Sequence, residues 1–193
     1  MNSVLPIRKG VPKCLVLMSA FTIAITLFGC SGMRDNKKDD LGYTPKGREV
    51  SRAKNDAKEA SSEILEIIDL RGEVSEPGPG IAQCGGKDPE KFYRVNHMWS
   101  LSGVPVPEMQ RAMTRLKEGL PKKGWKIAKY GPDGSRSKSP ELVAVSVPRQ
   151  FSVNIHLYDE SKKTEPNAPK SLIYVFLTSD CFQVPEGGTV GDS

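Results

Sequence analysis

Two histidines, four cysteines and one glycine-rich loop are the residues of this 193-residue chain whose type and spacing could do chemistry. The loop reads Gly80-Ile81-Ala82-Gln83-Cys84-Gly85-Gly86-Lys87, which has the outline of a phosphate-binding loop. Five residues separate Gly80 from Gly86, where that motif takes four. Asp88 stands where a Ser or Thr would hold magnesium, and no predicted strand leads into the loop. The residues predict a surface loop carrying Cys84. His97 alternates with Val95 and Trp99, as a half-buried strand residue does. His156 shares a polar strand face with Asn154 and Tyr158. A catalytic triad or a metal site needs convergent partners. Neither a Gly-x-Ser-x-Gly nor a His-Glu-x-x-His run occurs. No catalytic residue, metal or cofactor is therefore expected. The remaining candidate is a ligand surface of Trp99, His97, His156 and Tyr158, widened by Trp125, Tyr130, Tyr174 and the methionines Met98, Met109 and Met113. Packing of a helix on a sheet would account for most of these side chains without any ligand.

Cys30 belongs to a different kind of chemistry. Arg8, Lys9 and Lys13 precede the uncharged run from Cys14 to Phe28, and Gly29 supplies a small residue before Cys30. A basic start, an apolar run and a small-residue cleavage site make up a secretory signal. The basic end stays on the cytoplasmic side. The run is shorter than the roughly 20 residues that span a bilayer comfortably. An uncleaved anchor is the alternative, because the uncharged stretch from Cys14 to Met33 is just long enough to span.

The stretch Leu27-Phe28-Gly29-Cys30 resembles the lipobox of bacterial lipoprotein precursors. Leu27, Gly29 and Cys30 match that pattern, and Phe28 stands where the family usually has a small residue. The resemblance covers residues 1–30. It implies a diacylglyceryl group on the Cys30 sulfur and cleavage between Gly29 and Cys30. Ser31 follows, in place of the aspartate that retains some lipoproteins at the inner membrane. The general layout is similar to small actinobacterial lipoproteins of unknown function.

Removing the leader changes the composition. The chain carries 28 basic and 23 acidic residues, for a net charge of +5. Arg8, Lys9 and Lys13 go with the leader and no acidic residue does, leaving 25 against 23. Nucleic-acid binding would want a concentrated basic patch, and none is expected. Cys14 also goes and Cys30 takes the lipid, which leaves Cys84 and Cys181, 97 positions apart. In an exported protein such a pair predicts a disulfide, with two free thiols or metal ligands as the alternatives.

The elements that must position these residues follow from periodicity. Residues 30–48 read as the lipidated N-terminus and a flexible tether, rich in charge and Gly. From Glu49 to Leu70, apolar residues at steps of three and four predict a helix with Gly72 as its left-handed cap. Only alanines mark the first half, so that half could project from the domain. Residues 72–91 read as a loop. A strand over Phe92–Leu101, a helix over Pro107–Gly119 and a strand through Trp125 and Ile127 follow. Three more strands are predicted over Leu142–Val147, Phe151–Tyr158 and Leu172–Thr178. The last is nearly all apolar, which suggests a central strand covered on both faces. Residues 183–193 read as a loose tail. The order α-β-α-β-β-β-β predicts a single α+β domain over residues 49–182, with a largely antiparallel five-stranded sheet and two helices on one face. A Cys84–Cys181 bridge would make the first and last strands antiparallel neighbours, or else the loop at 85–91 would have to bridge the gap between them.

These expectations point to a lipid-anchored protein on the extracytoplasmic face of a bacterial cell membrane. Its expected work is binding, without catalysis, with the membrane and a protein or envelope component as partners. An enzyme or enzyme accessory with an unrecognised site, and a structural envelope protein, are the alternatives.

Overall fold

A computed structural model of the chain describes residues 41–75 and 77–192. The leader, Cys30 and the tether as far as residue 40 lie outside the described residues. In chain order the elements are β1 (Lys46–Gly47), α1 (Val50–Ile68), β2 (Glu73–Ser75), β3 (Gly80–Gln83), β4 (Phe92–Ser102), α2 (Val106–Gly119), β5 (Lys126–Pro132), β6 (Pro140–Ser146), β7 (Phe151–Tyr158), β8 (Leu172–Ser179) and β9 (Phe182–Gln183). Short 3-10 turns follow α2 and close the chain at Val190–Asp192. The fold is α+β.

The sheet departs from the five-stranded expectation. Among the described residues it has nine strands, in the order β1-β9-β4-β8-β7-β6-β5, with β2 and β3 also paired to β4. The five long strands are the expected ones, and all their pairings are antiparallel. The four additions are two to four residues long. Such lengths show no alternation, and β2 and β3 sit among the glycines and prolines of the expected loop. β2, β3 and β9 form because the 11-residue β4 offers free backbone groups that must be paired, and β1 in turn pairs with β9. The sole parallel pairing among the described residues is β1 with β9.

Both helices pack on one face of the sheet. On α1, Val50, Ala53, Ala57, Ala60, Ile64 and Ile68 are buried. Its first half does not project, because three alanines let the helix backbone lie close to the sheet. On α2, Met109, Ala112, Met113 and Leu116 are buried, and Pro107 occupies the first turn. Facing them are Tyr93, Val95, Trp99 and Leu101 of β4, Val153, Ile155 and Leu157 of β7, and Ile173, Val175 and Leu177 of β8. Truncating a buried aliphatic here, such as Ile64, would cost about 2–5 kcal/mol.

Gly72 is not the helix cap. Asp69 takes the left-handed conformation at φ 48°, ψ 54°, and its N–H donates to the Leu65 carbonyl at 3.1 Å. A short acidic side chain tolerates that region. Gly72 serves close approach instead, since a Cβ there would lie 2.4 Å from the Ser102 carbonyl oxygen.

β8 lies inside the sheet, between β4 and β7, but it is not covered on both faces. Leu172, Tyr174, Phe176 and Thr178 point away from the helices and stay half-buried. Nor do the ends match their expected looseness. Within the expected tether, Arg48 donates its N–H to Gln183 and lays its guanidinium 4.2 Å from the Phe182 ring centroid. Within the expected tail, Val184 is buried and donates to the Lys91 carbonyl.

Candidate functional site

A strand turns successive side chains to opposite faces. That rule divides the four residues of the expected ligand surface into two pairs. His97 and Trp99 of β4 point to the helices, whereas His156 and Tyr158 of β7 point to the open face. β8 lies between β4 and β7, so the two histidines do not meet.

On the open face, Met98, Asn154, His156, Tyr158, Tyr174 and Phe176 line a shallow depression of about 280 Å³. Met98 is 47% exposed and Tyr158 37%, high values for apolar surface on a sheet. The His156 ring stacks on Tyr158, with centroids 5.5 Å apart and planes 4° from parallel. Tyr174 sits 6.4 Å from Tyr158 and faces His156 across the β7–β8 ladder. Burial pushes the Tyr158 hydroxyl above its ordinary pKa, and the Asp133 charge adds to this.

Two carboxylates flank His156. Asp133 Oδ2 lies 3.7 Å from Nδ1 and Glu141 Oε1 lies 3.5 Å from Nε2. The sequence did not bring these three together, because the Glu141↔His156 pairing exists only once β6 and β7 are in register. Lys129 pairs with Glu141, and Asn154 Nδ2 donates to Glu141 Oε1 at 3.0 Å. The Lys129 hydrogen bond holds the Glu141 carboxyl below the usual carboxylate range, against the pull of burial. Asp133 is held low chiefly by the Ser135 hydroxyl at 2.6 Å. The carboxylates meet different ring nitrogens, and among the described residues no group of three ligating side chains converges for a metal. Asn154 Oδ1 and His156 Nδ1 are buried without hydrogen-bond partners among the described residues. The arrangement can stack a ring or an apolar chain beside a polar rim.

On the helix side, Ser61 Oγ and His97 Nδ1 are 2.8 Å apart, and both residues are buried. Together with Lys58, Leu65, Val74 and Trp99 they line a cleft of about 390 Å³ between α1 and β4. Ser61 went unnoticed in the sequence, although it adjoins Ala60 on the packed stripe of α1. Trp99 is 4% exposed, and its Nε1–H has no acceptor among the described residues. An unpaired buried donor of this kind costs about 1–3 kcal/mol.

Cys84 and Cys181 form a disulfide, with Cα atoms 6.0 Å apart. It ties the end of β3 to the link between β8 and β9, the two segments flanking the start of β4. β4 and β8 are antiparallel neighbours. The glycine-rich stretch that outlines a phosphate loop is strand β3 followed by a turn. Lys122, Lys123 and Arg136–Lys138 are exposed on turns. Among the described residues no helix is long and apolar enough to cross a membrane. Comparison of the chain with protein-family models, with curated proteins and with solved structures finds no match.

Proposed function

We propose that this chain is a lipoprotein held by Cys30 on the extracytoplasmic face of a bacterial cell membrane, and that its folded part is a non-catalytic binding module. The observation that carries the binding half is the uncovered sheet face, where Met98, Tyr158, Tyr174 and Phe176 gather around His156. Aromatic anchors beside a polar rim suit a protein or other envelope component. The Cys84–Cys181 bridge supports an exported domain, since such bonds persist in oxidising compartments. The lipobox-like stretch supports the anchor. Each buried acyl CH2 contributes roughly 0.8 kcal/mol, so two chains hold where one is marginal.

Two measurements in intact cells test the two halves separately. Cys30→Ala should release the protein from the membrane fraction and leave the precursor uncut; unchanged fractionation and size would refute the anchor. A photo-cross-linking residue at Tyr174 should capture a partner that the same residue at Lys122 does not. Met98→Glu should abolish that adduct, and equal labelling at both positions would refute the role of the open face.

A further inference from the structure

The strand path ends in β1, where the N-terminal side of the chain enters, and in β5, which pairs only with β6 among the described residues. The β5 edge is strongly basic. Seven of the chain's 28 basic residues and two of its 23 acidic ones fall within residues 117–138, which hold the end of α2, β5 and the turns on either side of it. Elsewhere the chain balances at 21 against 21, so the whole surplus of +5 belongs to this stretch. Lys117, Lys122, Lys123, Lys126, Arg136 and Lys138 are exposed and make no ion pair among the described residues. Lys129 is occupied by Glu141, and Asp133 by the Ser135 hydroxyl. Tyr130 is 41% exposed on the same strand, with Lys117 Nζ 4.8 Å from its ring centroid. Lysines on a free strand edge guard it against pairing with another chain. That role accounts for Lys126, but it needs neither the cations of the flanking turns nor an exposed aromatic.

We infer that the β5 edge docks on anionic phospholipid headgroups, with these six cations against the phosphates and Tyr130 at the headgroup level. The inference rests on the proposed Cys30 anchor for keeping the domain beside a bilayer, where tethering makes a weak attraction sufficient. Six strand spacings of about 4.8 Å separate β5 from β1, about 29 Å in all. Thirteen residues lead from Cys30 to Tyr43 and span at most about 43–47 Å. The anchor and the basic edge can therefore meet one bilayer together. An edge-on stance leaves the open face clear for its partner. No bond is made or broken.

The test places the full chain, labelled with nitrogen-15, on nanodiscs of phosphatidylcholine alone or with about one-third phosphatidylglycerol. Each disc carries a trace of lipid with a gadolinium chelate on its headgroup, which broadens nearby amide signals. On the anionic discs the Tyr130 and Gly134 signals should broaden at about 0.05 M salt and sharpen again by about 0.5 M. On phosphatidylcholine they should stay sharp. Each basic residue near an anionic surface changes the docked-to-free ratio about fivefold. The combined Lys122→Gln, Lys123→Gln and Lys126→Gln variant, altered only at exposed positions, should lower that ratio at least tenfold. Removing the same charge at Lys58, Lys91 and Lys162 should leave it unchanged. Equal broadening on both discs, an unaltered ratio in the first variant, or an equal loss in the second would overturn the inference. So would Tyr130 and Gly134 signals that shift with poly-glutamate over phosphatidylcholine discs yet stay sharp on anionic ones, which would assign the edge to an acidic protein. Failure of the anchor reads differently. The chain then leaves the discs at high salt, whereas failure of the basic edge leaves it on the discs with those signals sharp.

Discussion

Arg149 grips Glu63 with both ends of its guanidinium: Nη1 lies 3.0 Å from Oε1 and Nη2 lies 3.1 Å from Oε2, across 86 residues of sequence. Trp125 adds its Nε1–H to Oε1 at 3.1 Å. One carboxylate on α1 thereby joins the start of β5 and the β6–β7 turn. Two-pronged pairing of this kind is stronger than a single ionic contact.

Glu63 should therefore govern part of the acid sensitivity. Burial pushes its carboxyl up, but the Arg149 and Trp125 hydrogen bonds and the Arg149 charge outweigh burial and hold it below the usual 4.5. A lowered folded-state pKa gives stability that is present above 4.5 and lost as pH falls through the folded value. Urea midpoints from neutral pH into acid should decline for the unaltered protein. Glu63→Gln should be less stable at neutral pH, by about 1 kcal/mol after allowing for solvent screening, and should decline less steeply in acid. Parallel curves would mean that the pair contributes nothing.

Tyr93 sets a limit at the alkaline end. Burial pushes its hydroxyl up to about 12, despite the opposing Arg48 charge. The hydroxyl donates to the Arg48 carbonyl at 2.8 Å. A raised folded-state pKa gives stability that is complete below 10 and fades as pH rises towards 12. Tyrosinate absorbance should show a late ionisation step that Tyr93→Phe lacks. A titration unchanged by that substitution would contradict the buried hydrogen bond.

The two residues after α1 should respond in opposite directions. Gly72→Ala places a Cβ against the Ser102 carbonyl and 2.7 Å from Val104 Cγ2, and should cost about 1–3 kcal/mol. Asp69→Gly relieves a left-handed φ of 48° and should raise stability by up to about 1 kcal/mol. Thermal melts of both variants check this pair. A tolerated Gly72→Ala would show that the β2–β4 corner yields.

The disulfide should matter most under denaturing conditions. Closing a loop of 97 residues removes on the order of 4–5 kcal/mol of chain entropy in the simplest account, and measured gains are often smaller. Non-reduced mass spectrometry should find Cys84 joined to Cys181. The double serine variant should melt several degrees lower with unchanged secondary structure. Equal melting temperatures would show that the bond adds nothing to the folded state.

Much of this architecture could be read from side-chain periodicity. The long strands, both helices and the Cys84–Cys181 pairing follow from alternation, helical spacing and cysteine count. β8 misled because Leu172 and Phe176 are as apolar as the buried Val175 and Leu177, and Tyr174 is largely so, so residue type hid which face each takes. β3 was invisible because Gly80-Ile81-Ala82-Gln83 has no pattern of its own and pairs only because β4 lies beside it. The sites were least legible. Glu141 reaches His156 through strand register, and Ser61 reaches His97 through the seating of a helix on a sheet. Neither relation is local in sequence.

The short β1–β9 pairing also sets how a pull from the N-terminal side travels. Such a pull loads the Tyr43 hydroxyl, which accepts the Cys181 N–H at 2.8 Å, then Lys46–Gly47 beside Phe182–Gln183, then the Arg48 N–H on Gln183. Every one of these holds lands on the segment 181–183, and Cys181 is bonded to Cys84. Tension is handed to a covalent crosslink before it reaches the long strands. A two-residue strand is held by few backbone hydrogen bonds, so β1 should part under load before the long strands behind it do.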